Sequence, residues 1–517
     1  MASLELGIPA EAVARLRRHP LVAALTQGRP RRARERAVYF DTADLALAHA
    51  GVALCVRRVG RASVQSVARL DAGAAALRST ADTVLPNDAP DPTRIPDEAL
   101  REAVTRAVAG RALAPAFELD ISHETRLLRE DANEVTLALD SGTVRTPSGE
   151  TPLATLVLEV RTGDPSYPAQ LALELLDAFP FRLAALHPAA RARALLLGES
   201  ARPRKAGAIA TPPDATLEDL LDAVVESCLA QISGNEEAAI LGVDPEGVHQ
   251  LRVGIRRLRS ALAFFRAVLP ARQRVVMRDA LGALARELGH ARDLDVFAEQ
   301  WLAPALAARP GDAALARIDA DLRSQRAAEA ERARAVLQSQ RFPRLVLEIR
   351  RWLARRAWRD QPLSSASATL FLPARDFAAR RLERRHRKLH KGLRHAATAT
   401  PAERHALRIA AKKLRYAAEF TECLFAAKKV RAYARRLADL QDSLGLANDA
   451  VVAERLAHDF VARLGGGAEI ESAVGFVVGW AAHAAHDEIA RLPALAERFE
   501  DTARFWPRPA TKRAPIV

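Results

Sequence analysis

Several things are scarce in this chain. It has three cysteines in 517 residues. Cys55, Cys228 and Cys423 are too far apart for metal-ligand spacing or a disulfide framework, so reduced, buried thiols are expected. The longest apolar run, around 474–485, is too short and too rich in Gly and Ala to span a bilayer. The N-terminus, MASLELGIPAEAV, lacks the basic n-region and apolar core of a secretory signal. The expectation is a cytoplasmic protein with no membrane partner. Aromatic residues make up 5% of the chain, and none alternate with basic residues as base-stacking platforms would. That argues against a nucleic-acid binder.

The most informative shortage is local. From Val248 to Arg278 there are eight arginines and no Asp or Glu. The segment follows Asp244-Pro245, which suits an N-cap and first helical position. At helical spacing His249, Arg252, Arg256, Arg259 and Arg266 fall within an arc of about 100°. Leu251, Ile255, Leu258 and Leu262 form an apolar arc beside it. A solvated face usually alternates signs, yet Arg252 and Arg256 are a like-charge i,i+4 pair costing roughly 0.2–0.5 kcal/mol. Such crowding calls for an anion from outside the segment.

The pattern occurs twice. HQLRVGIRRLR (249–259) aligns without gaps with HALRIAAKKLR (405–415) at an offset of 156. His249, Arg252, Arg256, Arg257 and Arg259 thereby match His405, Arg408, Lys412, Lys413 and Arg415. Thr400-Pro401 overlies Asp244-Pro245, and Glu403 completes a capping box. At the same offset LGHARDLDV (288–296) overlies LGLANDAVV (444–452). Two motifs repeated at one offset mark an internal duplication. Asp293 and Asp449, equivalent in the two copies, are expected to hold basic side chains in place. His249 and His405 suit either phosphate donors, stronger when protonated, or orienting residues of the first helical turn.

HxxRVxxRRLR with LGxxRDLDV, then HxxRIxxKKLRY with LGxxND, resemble the CHAD domain, the conserved-histidine α-helical domain, over about residues 214–500. The resemblance implies two pseudo-symmetric helical bundles whose basic helices face a shared surface, and binding of inorganic polyphosphate. The expected contacts are the ten residues aligned above. A further stripe, Arg384, Arg387, Lys391 and Arg394, joins them; with Arg380 it spans about 80° of one helix.

Charge divides the chain. Residues 1–200 hold 24 Lys and Arg against 25 Asp and Glu, and residues 201–517 hold 53 against 38. The excess, and so the polyanion partner, belongs to the second part. The first part is dominated by alternating, β-rich segments such as ERAVYFDT, NEVTLALDSG and TLVLEVRTG. Here YFDTADLALAHAGVALCVRR, LALDSGTV and LVLEVRTGDP look like a CYTH domain, the triphosphate tunnel metalloenzyme fold, over about residues 3–199. That resemblance implies a tunnel in which basic groups bind triphosphate and carboxylates hold Mg²⁺ or Mn²⁺. Many of the implied positions are replaced. Ser3-Leu4-Glu5-Leu6-Gly7 stands for ExExK, Cys55-Val56-Arg57 for RxR, Ser66-Val67-Ala68 for TxK, and Thr155, Val157, Glu159 and Arg161 for the last strand. Arg57, Arg126 and Arg161 remain, with Glu5, Asp140 and Glu159 as residual metal candidates. A degenerate, non-catalytic domain is expected, with no cofactor required and Mg or Mn only if the tunnel is active.

The expected class is therefore α+β in two domains: an antiparallel β tunnel or barrel with helices at 1–200, a linker at 201–216, and an all-α domain at 217–500. The latter consists of repeats at about 217–357 and 375–500, followed by a tail at 501–517 whose stretch WPRPATKRAPIV (506–517) is expected to be disordered. The expected function is polyphosphate binding, with association with polyphosphate granules implied by the CHAD resemblance. A metal-dependent triphosphatase or polyphosphatase acting in the tunnel is the alternative, and nucleic-acid binding the third reading.

Overall fold

The computed structural model describes residues 3–69, 78–183 and 188–507. The chain forms two compact units. One comprises residues 1–204, 233–247 and 336–357; the other comprises 205–232, 248–335 and 358–517.

The first unit is built on an eight-stranded antiparallel sheet: β1 (Ser3–Gly7), β2 (Thr26–Asp41), β3 (Val52–Val59), β4 (Ala62–Arg69), β5 (Arg78–Leu85), β6 (Ala114–Glu130), β7 (Asn133–Thr146) and β8 (Gly149–Thr162). The order across the sheet is β1-β8-β7-β6-β2-β3-β4-β5. Alternation gives each strand two faces. In β7, Val135, Leu137 and Leu139 are buried on one face, while Thr136, Ala138 and Asp140 share the other. The YFDT segment has a structural role. Asp41, buried at the end of β2, accepts hydrogen bonds from the backbone N–H of Leu47 and Ala48, each at 2.8 Å. It thereby starts the short helix Ala46–His49.

The second unit is helical. The first basic helix is Glu246–Phe264, and its expected apolar arc is buried: Leu251 and Ile255 are fully enclosed, with Leu258 and Leu262 nearly so. The second basic helix, Pro401–Thr421, opens with the expected capping box, Thr400 and Glu403 bonding each other's backbone N–H. The two copies then diverge. After the first, Ala271–Glu287 breaks at Leu288 and resumes as Gly289–Val296 and a π-helical turn, Phe297–Leu302. After the second, the chain runs unbroken from Ala427 to Arg463.

The cores mix the repeats. Phe264 and Phe265 of the first meet Phe377 of the second, and Phe264 meets Phe420. A second core joins Leu294, Phe297, Trp301 and Leu315 to Phe460, Val474 and Val477. The expected disorder of 506–517 is corrected at Trp506. Phe505 and Trp506 are buried, and Trp506 Nε1–H donates to Glu383 at 3.1 Å. Residues 508–517 lie outside the described residues. No helix among the described residues is long and apolar enough to cross a membrane.

Candidate anion-binding site

The two basic helices converge at Arg256, whose Nε–H donates to the Tyr416 hydroxyl at 2.7 Å. Around this link lie Arg252, Arg408, Lys412 and Arg415. Arg252 donates to the carbonyl of Leu288. That carbonyl ends the helix Ala271–Glu287, so the break in the first repeat supplies an acceptor that the continuous helix of the second does not. Arg408 is correspondingly less committed: its Nη2 is 3.7 Å from Asp449, and its buried Nε has no acceptor among the described residues. Arg415 Nε is likewise buried without an acceptor among the described residues.

Lys412 makes no hydrogen bond or ion pair among the described residues. Burial, followed by repulsion from Arg256 and Arg408, pushes its ammonium down to about 7, with Asp449 opposing. Burial also lowers Arg252 and Arg408. The carboxylates from the repeated second motif stand behind this cluster. Asp293 and Asp449 line one small cavity with Trp301, and burial raises the Asp293 carboxyl despite the nearby Arg252.

The histidine of the second copy ties its two motifs together. A ring nitrogen of His405, Nδ1, is hydrogen-bonded to Asn448 Oδ1 at 2.7 Å, and Asn448 Nδ2 donates to Asp449 at 3.3 Å. This links both ends of the spacing seen in the sequence. His249 is half-buried at the equivalent point.

Other members of the expected set fall elsewhere. Arg257 is 1% exposed and pairs with Glu419 at 2.7 Å, while Nη1 donates to Gln231 at 2.9 Å. It braces the core, so we remove it from the contact set. Arg259 is exposed beside Gly282 and Arg286. Lys413 is exposed, and its carbonyl accepts from Arg385 at 2.7 Å. The stripe on Ala374–Leu393 is also redistributed. Arg387 pairs with Glu383 at 2.7 Å, on the side where Arg504 and Trp506 meet the same carboxylate. Arg394 contacts His390 at 3.4 Å, and Arg384 and Lys391 are exposed. The cations turned toward the basic helices are Arg381 and Arg385, which the sequence arc had missed. Tyr416, directly after Arg415, was missed as well.

In the sheet unit, Glu5, Asp140 and Glu159 share one face. Apolar residues fill part of that face: Tyr39, Phe117, Ile121, Val144 and Leu153 pack with Ala189 and Ala192 of the helix Pro188–Leu196. Asp140 is bonded to His123 at 2.8 Å. Burial, then repulsion by Asp140, raises the Glu5 carboxyl to about 7. Arg57 pairs with Asp82, and Arg161 donates to Thr136 Oγ1. Arg126 belongs to the opposite face, opposite Leu137 and paired with the fully buried Glu124. No group of three or more His, Cys, Asp or Glu side chains that could hold a metal ion occurs among the described residues.

The architecture is thus a sheet-based unit with its polar face partly filled, and a duplicated helical unit carrying carboxylate-poor cations. A family model for the CHAD domain matches residues 223–458, and one for the CYTH domain matches residues 8–180. The CHAD domain from the plant Ricinus communis is 33% identical, covering 59% of this chain and 99% of its own, with a TM-score of 0.49. PptA from Streptomyces chartreusis is 18% identical, covering 55% of this chain and 100% of its own, with a TM-score of 0.43. HpAC1 from Hippeastrum, described as having a dominant triphosphatase activity, is 14% identical; it covers 38% of this chain and 95% of its own, with a TM-score of 0.27. The chain belongs to the CHAD domain family and carries an N-terminal CYTH domain.

Proposed function

We propose that this protein binds inorganic polyphosphate on the face shared by its two basic helices and does no chemistry on it. The observation that carries the reading is the convergence of Arg252, Arg256, Arg408, Lys412 and Arg415 with so little compensating carboxylate. A phosphate polymer offers unpaired oxygens along its whole length and no base edges, so recognition needs donors rather than stacking surfaces. Arginine can bridge two such oxygens. The CYTH unit acts as a scaffold in this reading, because Asp140 is bonded to His123, Arg57 to Asp82 and Arg126 to Glu124. Cytoplasmic polyphosphate granules are the fitting location for such a binder.

Two double variants, Arg252→Ala with Arg256→Ala and Arg408→Ala with Lys412→Ala, test this by calorimetry with polyphosphate. Each is expected to lose affinity by about tenfold or more, since charge-assisted bonds are worth roughly 1.5–3 kcal/mol apiece. Unchanged affinity in both sinks the site. Phosphate release from tripolyphosphate with Mg²⁺ or Mn²⁺ is expected to stay below the roughly 1 s⁻¹ floor of ordinary enzymes. A faster rate would overturn the scaffold role.

A further inference from the structure

A second group of cations lies beyond the central cluster and is not a copy of anything in the first repeat. Arg381, Arg385 and Lys388 fall within an arc of about 60° on the helix Ala374–Leu393. Lys413 meets them through its carbonyl, which accepts from Arg385 Nη1 at 2.7 Å. Arg266, just past the first basic helix, is within electrostatic reach of Arg381, Arg385 and Lys413. None of the five forms an ion pair with a carboxylate among the described residues. Nε and Nη2 of Arg381, the edge that grips an oxyanion with two bonds, are buried without acceptors among the described residues.

The duplication shows what this arrangement replaces. At the 156-residue offset the first repeat has Val225, Leu229 and Ile232 where the second has Arg381, Arg385 and Lys388. All three apolar residues are buried, at 1% exposure or less. The second repeat has put cations on a face its twin uses for packing. Arg385 still lies 5.0 Å from the Phe264 ring and Arg381 5.0 Å from Phe377, so both remain against the aromatic core. Exchanging well-packed aliphatic side chains for unpaired, half-desolvated cations costs stability unless something anionic meets them.

We infer that Arg266, Arg381, Arg385, Lys388 and Lys413 form a second anion subsite, which takes phosphoryl groups of a chain already seated on the central cluster. The inference rests on the polyphosphate reading. Arg256 and Arg266 are ten residues apart, about 15 Å along the helix direction. Tripolyphosphate, three phosphorus atoms long, occupies the central cluster alone, whereas a polymer tens of phosphates long reaches both. The subsite therefore makes binding depend on chain length, and makes the footprint lopsided toward the second repeat.

The test uses the full chain and the variant Arg381→Val with Arg385→Leu, which installs the first repeat's own residues. Calorimetry is run with tripolyphosphate and with long-chain polyphosphate at several salt concentrations. The variant is expected to keep tripolyphosphate affinity, which also shows that it is folded. Its long-chain affinity should fall by about tenfold. Its salt slope should shrink by about 1.4, because each of the two removed cations accounts for roughly 0.7. Failure of the unmodified protein to bind either ligand removes the polyphosphate reading and this inference together. Normal long-chain binding by the variant, with an unchanged slope, removes the inference alone. Equal loss of tripolyphosphate affinity also overturns it, by showing one site rather than two.

Discussion

At the scale of a single residue, Lys412 bears the charge crowding most directly. Its ammonium is pushed from 10.5 to about 7 by burial and by the neighbouring Arg256, Arg408 and Arg415. The folded pKa lies below the unfolded one, so the unfolded chain binds the proton more tightly. The resulting penalty on the fold is fully present below about pH 7 and fades as pH rises toward 10.5. Lys412→Met is therefore expected to raise the melting temperature at pH 6 by a few degrees, with little change near pH 10. An unchanged or lowered melting temperature at pH 6 would count against the charge crowding. A bound polyanion reverses the shift, so binding takes up a proton, and affinity should decline as pH rises above 7. Calorimetry at pH 8 in two buffers of different ionisation enthalpy checks this; equal heats in both would refute it. Helical spacing put Arg252 and Arg256 on one face of their helix and Arg408 and Lys412 on one face of theirs, and the CHAD resemblance implied that the two helices share a surface. Spacing could not place Arg257, because the partner that draws it into the core, Glu419, is 162 residues away. Nor could spacing reveal that Arg126 sits on the other face of its strand from Asp140, a matter of register.

Among the elements, the repeats differ where their helices touch. Gly254 of the first basic helix lies so close to the helix Leu217–Gly234 that a Cβ would stand 2.8 Å from Ile232 Cγ1 and 3.2 Å from its backbone N. The equivalent position in the second copy is Ala410, which is buried without needing a glycine. Gly254→Ala gains up to about 1 kcal/mol of helix propensity but overpacks the contact, typically at 1–3 kcal/mol. The expected result is a lower urea midpoint with an unchanged m-value, and a midpoint that rises would show that the helices separate freely. The C-terminal segment offers a second check. Trp506 packs against Tyr433, His386 and Phe505 while its indole N–H holds Glu383. Trp506→Ala should destabilise by about 3–5 kcal/mol, and a loss below 1 kcal/mol would mean the segment is not anchored. Helix starts and the duplication were legible because caps and apolar periodicity are local. The unbroken helix through 445–448 was not, because Gly445 and Asn448 are loop formers by propensity, and tertiary packing overrides that preference. The buried role of Phe505 and Trp506 was hidden in the same way by the Pro-rich sequence around them.

At the scale of the whole molecule, what the sequence concealed is that the two repeats share cores. Residues 264 and 420, or 297 and 460, become neighbours only in three dimensions. That mixing is what carries the two basic helices to one face, since each is anchored against the other repeat. It also fixes how the protein should respond to salt. With 53 basic against 38 acidic residues beyond position 200, the helical part repels itself, and its cations at the shared face outnumber the carboxylates near them. Salt screens that repulsion, so the melting temperature of the protein alone is expected to rise between low and physiological ionic strength. Polyphosphate relieves the same repulsion specifically, and at a hundredfold excess over its dissociation constant should add about 2.7 kcal/mol. Raising the salt then works the other way, because bound counterions no longer gain by release and the ligand dissociates. Melting curves with and without polyphosphate should therefore have salt dependences of opposite sign that converge at high salt. If both rose in parallel, the ligand would not be held by the unpaired cations; if both fell in parallel, the crowding around Lys412 would not be costing the fold anything.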